Sequence, residues 1–264
     1  MLGKLIKYEL RATSRIFLPM YALLFVFALI NKFFISINLD YMKAPQIVAM
    51  TAFVAIIVGI CVMTLVVTIQ RFNKNLLTDE GYLSFTLPVK AHSHVDCKII
   101  VSLIWFMLSG IVATVSIFVL AIDPNTLVHL QEFFAECADA FRQVGANGVI
   151  VILEGILLLL LSVLSSTITI YAAITIGNMS SKHKLLAGVG AYLGFGVIEQ
   201  IIITTILSAL RDLPEHYFDN IKTIQGGVQA AEIMMLAMII YTLIFGVAYY
   251  VLTNWMLKNK LNLE

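Results

Sequence analysis

The stretch Gln70–Lys98, QRFNKNLLTDEGYLSFTLPVKAHSHVDCK, is a long polar interruption between two apolar runs, Ile47–Ile69 before it and Ile99–Ile122 after it. A hydrocarbon core about 30 Å thick needs roughly 20 apolar residues of helix, so each run is long enough to span a bilayer. Working outward, Phe17–Ile37, Val149–Ile174, Leu185–Leu210 and Ile233–Leu257 also qualify, which makes six spans. Composition agrees. The chain is 60% hydrophobic and 12% charged, where a soluble domain carries about 25% charged residues. Its mean hydropathy is +0.95. The expected fold is all-α: a polytopic membrane protein whose residues 1–264 form a single transmembrane domain. The first run is too long for a signal-peptide core and no small-residue cleavage site follows it, so it reads as a retained span.

Lys and Arg in the connections set the expected orientation. Lys4, Lys7, Arg11, Arg15, Arg71, Lys74, Lys90, Lys98, Lys182, Lys184, Lys258 and Lys260 fall on one side, and Lys43, Arg142, Arg211 and Lys222 on the other. Both termini are therefore expected in the cytoplasm. Residues 2–16 interleave Leu2, Leu5, Tyr8 and Ala12 with basic residues, which predicts an amphipathic helix lying in the inner membrane interface. On the outer side, within 123–147, Leu127, Leu130, Phe134, Cys137 and Phe141 recur at spacings of 3 and 4, one helical face. Residues 211–230 repeat that pattern more weakly. Glu132, Glu136, Asp139, Asp212, Glu215 and Asp219 make the outer face acidic. In the fifth span, Gly190-x-x-x-Gly194 predicts close helix packing.

Several chemistries are disfavoured. A net charge of +1 suggests no nucleic-acid partner. Cys61, Cys97 and Cys137 form no C-x-x-C pair, and no G-x-x-x-x-G-K-[ST] phosphate loop occurs. His92, His94, His129, His183 and His216 all lie outside the spans with no H-E-x-x-H, so neither a metal site nor a hydrolytic centre is expected. No catalytic residue is assigned, and the chain is not read as an enzyme.

Charges inside spans are costly and are functional candidates. They are Lys32, Glu154 and Glu199, with Gln200 beside the last. At 1.5 Å per residue, Lys32 and Glu154 sit at similar depths, roughly 8 Å from the outer boundary, and Glu199 about 16 Å deep. Lys32 and Glu154 are placed to pair. The group either braces the bundle, lines a translocation path, or relays protons as in a secondary transporter.

The opening stretch has its own pattern. Phe72, Leu76 and Leu77 make one apolar face of a short helix, and Asp79-Glu80-Gly81 breaks it. Tyr82, Leu83, Phe85 and Leu87 form a second apolar cluster ended by Pro88, and Ser93-x-x-Asp96 reads as a capping box. The run Asp79–Val89, DEGYLSFTLPV, resembles the permease subunits of type-2 ABC exporters, in which an acid and a glycine precede a leucine-rich piece ending in Pro-Val or Pro-Leu. The layout of an amphipathic N-terminal helix, six spans and a small outer region is similar too. Tyr82 stands where Thr is frequent in that family, and the long outer domain of some members is missing.

The resemblance implies a cytoplasmic coupling helix within 70–98. Phe72, Leu76, Leu77, Tyr82 and Phe85 would dock a separate ATPase, and Glu80 and Gly81 would shape the turn. It further implies two ATP-binding subunits carrying ATP and Mg, and a second permease chain as homo- or heterodimer, in the plasma membrane. This chain would hold no cofactor of its own. Lys32, Glu154, Glu199 and Gln200 would line or brace the pathway for an amphipathic or hydrophobic substrate, a peptide toxin or antimicrobial peptide being favoured. A proton-coupled secondary transporter, or an exporter of lipid-linked glycans or drugs, is the alternative.

Overall fold

The computed structural model describes residues 2–37, 43–78, 81, 91–122, 124–180, 182–211 and 224–259. The regular elements among them are α-helices: α1 (Leu2–Ile37), α2 (Lys43–Leu77), α3 (Ala91–Ala121), α4 (Pro124–Val144), α5 (Ala146–Asn178), α6 (Lys184–Arg211) and α7 (Ile224–Asn259). All but α4 are long and apolar enough to cross a membrane. Their outward surface is itself apolar, with Leu185 78%, Val48 69% and Ile233 67% exposed. In water each such side chain would forgo about 1.5–3 kcal/mol of burial. A helix set that turns this many large apolar groups outward is built for lipid as its solvent, and helices satisfy their own backbone polar groups there. The chain is a multi-pass α-helical membrane protein.

Three local expectations change. Residues 2–16 are not a separate helix: α1 runs unbroken for 36 residues with Pro19 inside it. Leu2, Leu5, Ile6 and Leu10 pack against the same core as the span itself, so nothing bends the segment away. Phe72–Leu77 is likewise the last part of α2, not a separate short helix. Helix α3 begins at Ala91, so Ser93 lies in its first turn and does not cap it. The amphipathic segment expected at Asn125–Gln143 is present as α4, which starts on Pro124, where a missing N–H is harmless. It is followed by Gly145 at φ 65°, a left-handed value that glycine adopts without cost. Glu80, Tyr82, Phe85 and residues 212–223, the last expected on the outer side, lie outside the described residues.

The chain packs as two compact units, Met1–Phe72 with Pro88–Phe133, and Asn73–Leu87 with Phe134–Glu264. In the first, Phe17, Tyr21, Leu24 and Ala28 of α1 meet Phe53, Ile60 and Val67 of α2 and Cys97, Val101 and Trp105 of α3. The Phe17 and Trp105 rings stack with centroids 4.4 Å apart. Polar groups are tied in among them. The Trp105 Nε1 donates to Thr13 Oγ1 at 2.7 Å, and Tyr21 and Ser109 share a hydrogen bond of 2.7 Å. Asn31 donates to the carbonyl of Ala49 at 3.0 Å, joining α1 to α2. Each bond spares a polar group the penalty of being bare in an apolar interior.

In the second unit α5 packs against both α6 and α7. The α5–α6 approach is closest at Gly177 and Gly188. A β-carbon on Gly177 would lie 2.7 Å from the Gly188 Cα and 2.6 Å from the Lys184 carbonyl oxygen. Gly190 and Gly194, the pair expected to make the contact, face open space. The α7 backbone approaches α5 at Gly246, whose β-carbon position lies 3.5 Å from Ser165 Oγ. The end of α2 belongs to this unit: Asn178, the last residue of α5, donates to Asn73 Oδ1 at 3.2 Å.

Candidate functional site

Helices α5, α6 and α7 line an open cavity of about 260 Å³. From α5 come Ser162, Ser165, Ser166 and Thr169, whose spacing puts four hydroxyls on one face. Helix α6 adds Tyr192, Gly196 and Glu199, and α7 adds Tyr241, Thr242 and Phe245. Glu199 lies near the middle of α6, about 22 Å along it from Lys184 at 1.5 Å per residue.

The carboxylate is held from one side. Tyr249 donates its hydroxyl to Glu199 Oε1 at 2.8 Å, and Tyr241 makes a longer bond of 3.4 Å to the Glu199 backbone carbonyl. Among the described residues no hydrogen bond reaches Glu199 Oε2. The rings behind it form a ladder on and against α7: Tyr241–Phe245, Phe245–Tyr249 and Phe195–Tyr249, at 4.7, 6.0 and 4.6 Å between centroids.

The hydroxyls have a defined polarity. Ser162 donates to the Leu159 carbonyl at 2.8 Å, Ser166 to that of Ser162 at 2.7 Å, Thr169 to that of Ser165 at 2.9 Å, and Thr242 to that of Met238 at 2.8 Å. In an apolar surrounding the carbonyl one turn back is the nearest acceptor for such a proton. A hydroxyl has only one proton, so these four turn lone pairs toward the cavity. Among the described residues no Lys, Arg or His lines it. These four hydroxyls accept hydrogen bonds, and the Glu199 carboxylate attracts positive charge.

Of the four intramembrane polar residues singled out by sequence, only Glu199 lines this cavity. Gln200 points away, exposed, and bonds Thr204 on its own helix at 3.4 Å. Lys32 belongs to the first unit, where its ammonium donates to the carbonyl of Ile122 just past the end of α3. Glu154 belongs to the second unit and buries its Oε2 without a hydrogen bond among the described residues. Of the coupling residues, Phe72 is 0% and Leu76 1% exposed, and Leu77 is also buried, so these three face the protein interior. Gly81 donates its N–H to the Thr78 carbonyl at 2.7 Å, and a β-carbon on it would stand 2.6 Å from the Leu76 carbonyl oxygen. Among the described residues no group of His, Cys, Asp and Glu is arranged to hold a metal.

Sequence reasoning passed over the hydroxyl face of α5 and the Tyr241, Phe245 and Tyr249 series of α7. The signal was present as spacings of 3 and 4 inside apolar runs, but hydroxyl and aromatic residues are ordinary in spans and carry no charge to draw attention. No family model, curated protein or solved structure matches the chain.

Proposed function

We propose that the chain is the membrane permease subunit of an ATP-driven exporter, with both termini in the cytoplasm of a cell whose plasma membrane it spans. A separate ATP-binding subunit, in two copies, supplies the energy, and a second permease chain completes the pathway. The DEGYLSFTLPV run supports the engine, and the polar cavity supports a path for cargo. The observation that carries the reading is the Asn73–Asn178 hydrogen bond. It ties the residues that lead into the Asp79–Val89 run to α5, the helix whose hydroxyl face lines the cavity. Displacement of the loop would thus reach the cavity through one rigid element. Since Phe72, Leu76 and Leu77 are buried, their role in this reading is to anchor the base of the loop, and docking falls to Glu80, Tyr82 and Phe85. The favoured cargo is an amphipathic peptide.

The test is co-purification with any ABC-type ATPase found encoded beside this reading frame, for wild type and for Tyr82→Asp with Phe85→Asp. Retention by wild type and release by the double variant, with unchanged elution of the permease, is the expected result. A wild type that holds no ATPase overturns the reading. One observation favours a second reading: the carboxylate of Glu199, held by Tyr249, is a group that could carry a proton through a proton-coupled transporter. Uptake or efflux in proteoliposomes driven by a pH gradient without ATP distinguishes it.

A further inference from the structure

We infer that the cavity among α5, α6 and α7 binds a primary ammonium group, with Glu199 as its counter-charge. The binding chemistry stands on the cavity alone; that the ammonium belongs to the transported cargo rests on the exporter reading above.

Three observations converge. Among the described residues the cavity has one carboxylate and no cationic side chain in its lining, and in a low-dielectric surrounding an uncompensated carboxylate calls for a cation. Tyr249 occupies Oε1, which leaves Oε2 to face a ligand. The protons of Ser162, Ser166, Thr169 and Thr242 are committed to backbone carbonyls, so these four hydroxyls offer acceptors to a ligand. A ligand rich in N–H donors satisfies them. An anion meets the like charge of Glu199, and an uncharged alcohol leaves Glu199 without its counter-charge. Tyr192, Tyr241 and Phe245 add aromatic faces, which attract cations within about 6 Å of the ring. A volume of about 260 Å³ is far larger than a bare alkali ion, so the cavity has room for the carbons that carry the nitrogen. A quaternary ammonium would use the rings but not the hydroxyls. The hydroxyls therefore select a primary amine, whether on a free alkylamine, a lysine side chain of a peptide, or an aminophospholipid headgroup.

The experiment uses the full chain in phosphatidylcholine nanodiscs and measures equilibrium binding of radiolabelled hexylamine at neutral pH, without any ATPase. Saturable binding is expected, weakened at least tenfold by Glu199→Gln and several-fold by Ser166→Ala combined with Thr169→Val. Hexyltrimethylammonium should compete at least fivefold less well than unlabelled hexylamine, and hexanol should not compete. The inference is overturned if hexanol competes as well as hexylamine, if the quaternary amine competes equally, or if sodium displaces the amine where choline at the same ionic strength does not. Unchanged binding by Glu199→Gln also overturns it. Should that variant fail to elute as wild type does, the Ser166→Ala, Thr169→Val protein decides, and unchanged binding by it has the same force. Displacement of hexylamine when phosphatidylethanolamine is included in the discs assigns the site to a lipid headgroup; no displacement assigns it to a soluble amine. Because no ATPase is present, amine binding by a chain that holds no ATPase leaves this inference standing while the exporter reading fails. The reverse pattern separates them equally well.

Discussion

Lys98 and Glu9 form an ion pair 2.7 Å across, with both side chains largely buried at 8% and 13% exposure, and Arg71 stands 3.9 Å from the same carboxylate oxygen. The three residues come from α3, α1 and α2, so one carboxylate gathers the three helices of the first unit. Removing one member of a buried pair strands the other, at a cost of about 3–5 kcal/mol, whereas replacing both by apolar groups is often nearly neutral. Lys98→Met should therefore lower the melting temperature in detergent sharply, and Glu9→Leu with Lys98→Met should recover most of the loss. If the double variant is no better than the single, the ion pair is not what holds the helices.

At Gly81 the test is one methyl group. A β-carbon would sit 2.6 Å from the Leu76 carbonyl oxygen, which is backbone and cannot swing aside. Gly81→Ala must displace the turn after α2 while leaving the spans alone. The expected outcome is unchanged thermal stability of the bundle, faster proteolysis near residue 80, and at least tenfold weaker retention of the ATPase proposed above. Retention equal to wild type would separate this turn from coupling.

The α5–α6 contact gives a contrast between neighbours. Gly177→Ala inserts a carbon within 2.7 Å of the Gly188 Cα, while Gly190→Ala and Gly194→Ala meet nothing within 4 Å. Overpacking costs about 1–3 kcal/mol, and substitutions away from contacts stay within about 0.5 kcal/mol. Unfolding midpoints in a denaturing detergent series should fall for the first variant only. Equal falls at Gly177 and Gly190 would mean that the glycine pair of α6 is the packing surface after all.

A fourth outcome concerns the polar core of the first unit. Thr13→Val keeps the shape of the side chain but removes the acceptor for Trp105 Nε1, which lies 2.7 Å away. A buried donor left bare costs about 1–3 kcal/mol. Trp105 fluorescence should also shift as its N–H loses its partner. Trp105→Phe in the Thr13→Val background should add less than it does alone, which a double-mutant cycle measures.

The spans were legible because twenty or so apolar residues in a row admit few other structures, and α4 because its apolar residues keep one helical face. The places where the reading slipped share a cause. Hydrophobic pattern says that residues 2–16 and Phe72–Leu77 are helical, but only packing says that they continue the neighbouring helix: Leu5 and Leu10 belong to the same core as Phe17. Gly190-x-x-x-Gly194 has the spacing of a contact, yet a spacing does not name its partner, and the partner of Gly177 on α6 is Gly188. Glu199 stood out by its charge. The hydroxyls and rings that give it a chemical environment come from three helices that the sequence places far apart.

Helix α1 carries polar ties to both of its neighbours, α3 and α2. Glu9, bound to Lys98, and Asn31, bound to the Ala49 carbonyl, lie 22 residues apart on one rod, about 33 Å at 1.5 Å per residue. A rod that stays rigid would carry a displacement at Glu9 to Asn31 along its own backbone. The weak point of that rod is Pro19, whose ring deprives the Arg15 carbonyl of its helical donor. Whether the two ends move as one lever or as two is thus settled at a single imino acid, and Pro19→Ala stiffens the lever without touching either grip.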